Sequence, residues 1–135
     1  MKELEGRMNE IEKELRKAYL HFKDVDEEFL DKRIQQHLKD VEMGRMYEMQ
    51  VDGKQLIGHC LSIATECTDE KQVEVDGQKY WYEKLRNVIL FVNEKTMQYV
   101  IRHADCYEDE DGCVKFENVT YEKALLESLK GDFDL

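Results

Sequence analysis

Gln50-Val51-Asp52-Gly53-Lys54-Gln55 and Glu74-Val75-Asp76-Gly77-Gln78-Lys79 look like a short repeat around a shared Val-Asp-Gly. Each copy sets Asp-Gly between two alternating flanks, and Asp-Gly is a preferred centre for the two-residue hairpin turn, in which both residues take positive φ. A third pair, Asp111-Gly112, lies downstream. Two turns built with one chemistry explain the likeness without duplication. From Arg45 onward the hydrophobic period is two, which predicts antiparallel sheet. The expected strands are Met46 to Val51, Gln55 to Ala64, Gln72 to Val75, Lys79 to Glu83, Asn87 to Val92, Met97 to His103 and Cys113 to Glu117.

Upstream of the first turn the period is helical. Leu4, Met8, Ile11, Leu15, Ala18 and Phe22 alternate spacings of four and three, which sets them on one seam of a helix. Glu3 to Arg7 and Glu12 to Arg16 are i,i+4 pairs on its wet side. After the break at Lys23-Asp24-Val25-Asp26, Asp24 or Asp26 can cap a second helix with the stripe Leu30, Ile34, Leu38 and Val41, ending at Gly44. Downstream, a helix is expected from a Thr120 cap through Ala124, Leu125 and Leu129 to Gly131, leaving Asp132 to Leu135 as a tail. The predicted fold class is α+β. An N-terminal helical hairpin (2–43) packs on a meandering antiparallel sheet (45–117), with a short C-terminal helix (120–130), in a single domain spanning 1–135. The first helical seam has two uses, packing on the second helix and the sheet or pairing with a second copy. The expectation is a homodimer through it.

A chain of 135 residues with 41% hydrophobic content can bury one core, and its apolar periodicity argues against disorder. No apolar run approaches the roughly 18 residues of a membrane span, and the acidic start Met1-Lys2-Glu3-Leu4-Glu5 is unlike a signal peptide. A cytoplasmic location with four reduced cysteines is expected.

Chemistry-bearing patterns are weak. His59, Cys60 and Cys67, with His103, Cys106 and Cys113, lack the tight two-to-four-residue knuckle of structural zinc sites, so no metal is expected. Adjacent strand residues face opposite ways, which keeps His59 from activating Cys60. His21 and His37 fall near helical seams and suit hydrogen-bonded structural roles. Asp109, Asp111 and Gly112 match three positions of an EF-hand loop, but Tyr107 and Asn118 occupy its first and last ligand positions, where oxygen ligands and normally a bidentate Glu are needed. No GxSxG, HExxH or P-loop pattern occurs. The chain is expected not to be an enzyme and to need no cofactor.

Charge is the informative feature. Of a net −11, −7 falls between Ala104 and Leu135, where ten Asp or Glu face Lys115, Lys123 and Lys130. Concentrated negative charge repels nucleic acid and attracts proteins with basic grooves. The expected function is therefore that of a small acidic interaction protein, an inhibitor acting as a nucleic-acid mimic on the basic channel of a partner enzyme. Phage or mobile-element antagonists of nuclease defence systems (anti-CRISPR-like viral proteins) and immunity proteins against nuclease toxins are the comparison class, by analogy of charge and size. Asp105, Glu108, Asp109, Glu110, Asp111 and Glu117 are the expected contact carboxylates. Tyr80, Trp81 and Tyr82 are the expected aromatic anchors, Trp81 facing away from the two tyrosines. No direct nucleic-acid or membrane partner is expected, since base-stacking platforms lie in basic grooves. The alternative is a small-molecule-binding domain with a pocket between sheet and helices, lined from Tyr80, Tyr82, Tyr99, Tyr107, Arg86, Arg102 or His103.

Overall fold

A computed structural model describes residues 6–135 and shows an α+β architecture of two helices and five strands. Helix α1 spans Met8–Phe22 and α2 spans Glu27–Glu42. Asp26 caps α2, its side chain accepting from the Phe29 amide at 2.8 Å. Leu4, the Glu3–Arg7 pair and the expected helical residues 2–5 lie outside the described residues. Ile11, Leu15 and Ala18 of the α1 seam are fully buried, with Met8 and Phe22 packed beside them, against Leu30, Ile34, Leu38 and Val41 of α2 and against the sheet. Of its two uses, the described part of the seam shows the first, packing within the chain on α2 and the sheet.

The strands are β1 (Tyr47–Val51), β2 (Lys54–Val75), β3 (Gln78–Val92), β4 (Met97–Asp109) and β5 (Val114–Ala124). Consecutive strands pair antiparallel, and a parallel Val51–Tyr121 pairing closes β1 on β5 into a barrel. Asp52-Gly53 and Asp76-Gly77 have φ of 49° and 80° in both turns, the left-handed pair a two-residue turn requires. At the third turn Gly112 alone is left-handed (φ 84°), and Asp109 Oδ1 accepts from the Asp111 and Cys113 amides, both at 2.9 Å. That is a three-residue loop with a glycine bulge.

Two cores result. One, between the helices and the outer face of the barrel, uses Leu61, Val88, Leu90, Val92 and Ile101. The other lies inside the barrel: Met49, Val51, Phe91 and Val100 bury there with Leu56, Cys60 and Tyr121, so all five strands contribute. Gly58 makes this inner packing feasible, because a Cβ there would meet the Val92 carbonyl oxygen at 2.6 Å and Phe91 Cζ at 2.7 Å.

Four expectations need correction. Gln55 to Ala64 and Gln72 to Val75 are one strand, kept continuous by register shifts at Ser62/Ala64 and Thr68/Lys71, where Asp69 takes φ 51°. Lys79 to Glu83 and Asn87 to Val92 are likewise one strand. The C-terminal helix is absent: Thr120 to Ala124 pair with β4, and only a 3-10 turn, Leu126–Ser128, follows. Pairing with an open strand edge outweighs the modest helix propensity of a short segment. The last residues are not a loose tail, for Phe133 is 3% exposed in the outer core and Asp134 exchanges two 2.8 Å backbone bonds with Thr65.

Candidate functional site

The six C-terminal residues of β3 are all buried, whereas none of its first nine is. Beyond the helices, β2 to β5 therefore continue as a four-stranded ribbon open on both faces. Register places Tyr80 opposite Asp109, Trp81 opposite Glu108, Tyr82 opposite Tyr107, and Glu108 opposite Val114. The aromatic run and the acidic hairpin, distant in sequence, thus lie on adjacent strands. Over residues 69–84 and 105–117 the ribbon carries eleven Asp and Glu against Lys71, Lys79, Lys84 and Lys115.

The two faces differ. On the helix side Tyr82 tilts against Tyr107 at 5.1 Å and Tyr80 meets it edge-on at 6.5 Å, with Lys71 over the Tyr82 ring. Tyr82 donates to Asp105 at 2.7 Å, and Asn118 donates to the other Asp105 oxygen at 2.9 Å. Those bonds, Asn118's first, hold the Asp105 carboxyl below its ordinary range. On the opposite face Trp81, Val114 and Phe116 stay 43%, 51% and 52% exposed, with Glu83 and Glu108 among them. The Trp81 indole donates to Glu83 at 3.2 Å.

The expected carboxylates consequently divide. Asp105 ties three strands, Asp109 organises the turn, and Glu117 pairs with Lys115 at 2.8 Å. Glu108, Glu110 and Asp111 make no ion pair among the described residues. Sequence reasoning missed Glu83, Val114 and Phe116. Their alternation places them on the face of Trp81, opposite Tyr80 and Tyr82, but β4 had to be extended past His103 to bring them together.

The cysteines and histidines scatter. His59 is buried and donates through Nδ1 to the Arg45 carbonyl at 2.6 Å, while Cys60 faces the barrel interior. His103 lies 3.7 Å from Glu122, His21 bonds the Leu129 carbonyl at 3.1 Å, and His37 bonds Tyr19. Among the described residues no three His, Cys, Asp or Glu side chains converge as a metal group. Burial pushes the Cys60 thiol up to about 11, and Cys67 reaches about 11 through partial burial and then the Glu83 carboxylate. Neither is a ready thiolate near neutrality.

The pocket expected between sheet and helices is filled by the outer core, with an open cleft of about 470 Å³ at its edge beside Arg86, Ile101 and Leu129. Its expected lining residues are dispersed or engaged. Tyr99 donates to Glu14 at 2.7 Å, and burial followed by that bond raises its phenol. Arg86 pairs with Glu66 at 2.7 Å. Arg102 instead lines a cavity on the inner face of the barrel. No described helix is long and apolar enough to cross a membrane. Comparison with family models, with curated proteins and with solved structures finds no match.

Proposed function

We propose that this chain is a non-enzymatic docking protein, whose acidic ribbon occupies a basic, nucleic-acid-binding groove of a partner protein and blocks it. The observation that carries this reading is the ribbon itself. It extends well past the cores, exposes both faces, concentrates eleven carboxylates and still leaves Trp81, Val114 and Phe116 in water. A sheet extension that buries little adds surface without adding core, and an exposed apolar cluster rimmed by charge is the usual mark of an interface. Trp81 and Phe116 would serve as anchors, worth roughly 1.5–3 kcal/mol each when buried. Glu83, Glu108, Glu110 and Asp111 would replace the phosphates that a basic groove ordinarily neutralises.

The test uses the full chain as bait, crosslinking through a photoreactive residue at position 114 and mass spectrometry of what is captured. The expected partner has a basic groove, is displaced by duplex DNA or RNA, and binds less tightly as salt rises. Glu108→Gln, Glu110→Gln and Asp111→Asn together should slow association, and Trp81→Ser with Phe116→Ser should speed dissociation. A partner that binds all five substitutions like wild type across a range of salt, or that binds nucleic acid and this protein at once, would sink the proposal.

A further inference from the structure

At the barrel mouth is a cavity of about 280 Å³ to which every strand contributes. Met49 of β1 and Ile89 of β3 give it apolar wall, and Cys60, Asn87, Arg102 and Tyr121 bring polar groups. Register fixes the arrangement: Asn87, Arg102 and Tyr121 lie side by side across β3, β4 and β5. Asn87 is 4% exposed, its amide nitrogen tied to Ser62, the Ala64 carbonyl and Thr65 at 2.9 to 3.2 Å, so that wall is rigid. The Tyr121 hydroxyl bonds to no other described group.

Arg102 is the anomaly. Arg7, Arg16, Arg45 and Arg86 each pair with a carboxylate, and Arg33 lies against the Tyr19 and Phe29 rings. Among the described residues Arg102 makes no ion pair and no side-chain hydrogen bond, in a chain of net charge −11. The rim carboxylate Glu48 accepts from Gln55 at 3.2 Å instead. A half-buried guanidinium without an anion, facing a cavity of the barrel mouth, is an unmet demand for a planar acceptor.

We propose that the barrel mouth binds a compact monoanionic carboxylate, its two oxygens on the Arg102 guanidinium and its apolar body against Met49 and Ile89. The cavity lining carries one cation, Arg102, and one carboxylate, Glu48, and that carboxylate together with the surrounding negative field penalises a second ligand charge, so a phosphate dianion is disfavoured. The volume suits a single ring or a short chain. Cys60 remains a protonated thiol beside it, so the site binds and does not form a covalent bond.

The test is amide NMR titration of the full chain with benzoate, with its neutral isostere benzamide, and with inorganic phosphate. Benzoate should give saturable shifts at Tyr47, Cys60, Arg102 and Tyr121 and leave the ribbon unmoved. Benzamide should bind at least about tenfold more weakly because it loses the charge-assisted fork, and phosphate, at a pH where it is a dianion, by a similar factor because of its second charge. Arg102→Gln should weaken benzoate by a similar factor with the rest of the spectrum retained. Shifts that do not saturate, equal binding of benzoate and benzamide, or tighter binding of phosphate would each overturn the proposal. The three-probe comparison on the wild-type chain decides even if the variant does not fold. Docking of the ribbon on a partner is a separate measurement, and either result can fail without the other.

Discussion

His37 on α2 bonds Tyr19 of α1, whose ring is fully buried, and the Arg33 guanidinium lies 5.8 Å from that ring's centre. Burial, and then the Arg33 charge, push His37 down to about 4, against a smaller opposite effect of Asp40. Its folded pKa therefore lies below the unfolded value of about 6.5. A neutral His37 contributes fully above pH 6.5, and that contribution is lost as pH falls toward 4. Linkage gives a loss of about 2 kcal/mol at pH 5, or about 1–2 kcal/mol once the ring's partial contact with solvent is allowed for. Urea unfolding at pH 7.5 and pH 5.0, on wild type and His37→Gln, isolates the effect. Glutamine can still bond Tyr19 but does not titrate, and other groups cancel in the double difference. Wild type should lose about 1–2 kcal/mol more than the variant between the two pH values. Equal losses would refute a buried, neutral His37 and the tight α1–α2 contact that keeps it so.

Two further outcomes follow from the packing. Gly58→Ala should cost about 1–3 kcal/mol, because the new methyl meets the Val92 carbonyl and the Phe91 ring inside the barrel; an unchanged urea midpoint would mean that the inner core is loose. Asp105→Ala should cost about 1–3 kcal/mol through the lost bonds to Tyr82 and Asn118, whereas Glu110→Gln with Asp111→Asn should leave the melting temperature equal or slightly raised; the reverse order would undo the division between structural and free carboxylates.

What the sequence revealed depended on whether the information was local. The seam Ile11, Leu15, Ala18 and Phe22 needs only helical geometry to be recognised, and Asp52-Gly53 and Asp76-Gly77 carry their turn in their own backbone preferences. The span from Thr65 to Gln72 was unreadable as strand because none of its residues is fully buried, so no burial imposes an alternation there. Leu125 and Leu129 suggested one helical stripe; in the fold Leu125 is 65% exposed while Leu126, Leu129 and Phe133 bury. That outcome was set by the β4 edge claiming Thr120 to Ala124. Arg102 was a candidate only for a pocket between sheet and helices. Its isolation became evident only when the β1–β5 closure gave the barrel an inside.

The same distances explain how the ribbon tolerates its charge and why that charge would still matter to a partner. The uncovered part of β3, residues 78–86, spans about 30 Å at roughly 3.3 Å per residue. Carboxylates at opposite ends of that length are screened from one another beyond about 8 Å at physiological salt, whereas Glu108 to Asp111, consecutive at the hairpin tip, repel within that distance. Asp105 and Asp109 offset part of their charge by accepting hydrogen bonds from Tyr82, Asn118 and two backbone amides. A basic groove closing over the ribbon excludes that salt. Each of its cations then meets carboxylates already held in place by strand pairing, and the ordering cost is correspondingly low. Binding through the ribbon should thus weaken steeply as salt rises while the folded state barely responds, a contrast that a docking role requires and that surface charge present only for solubility does not produce.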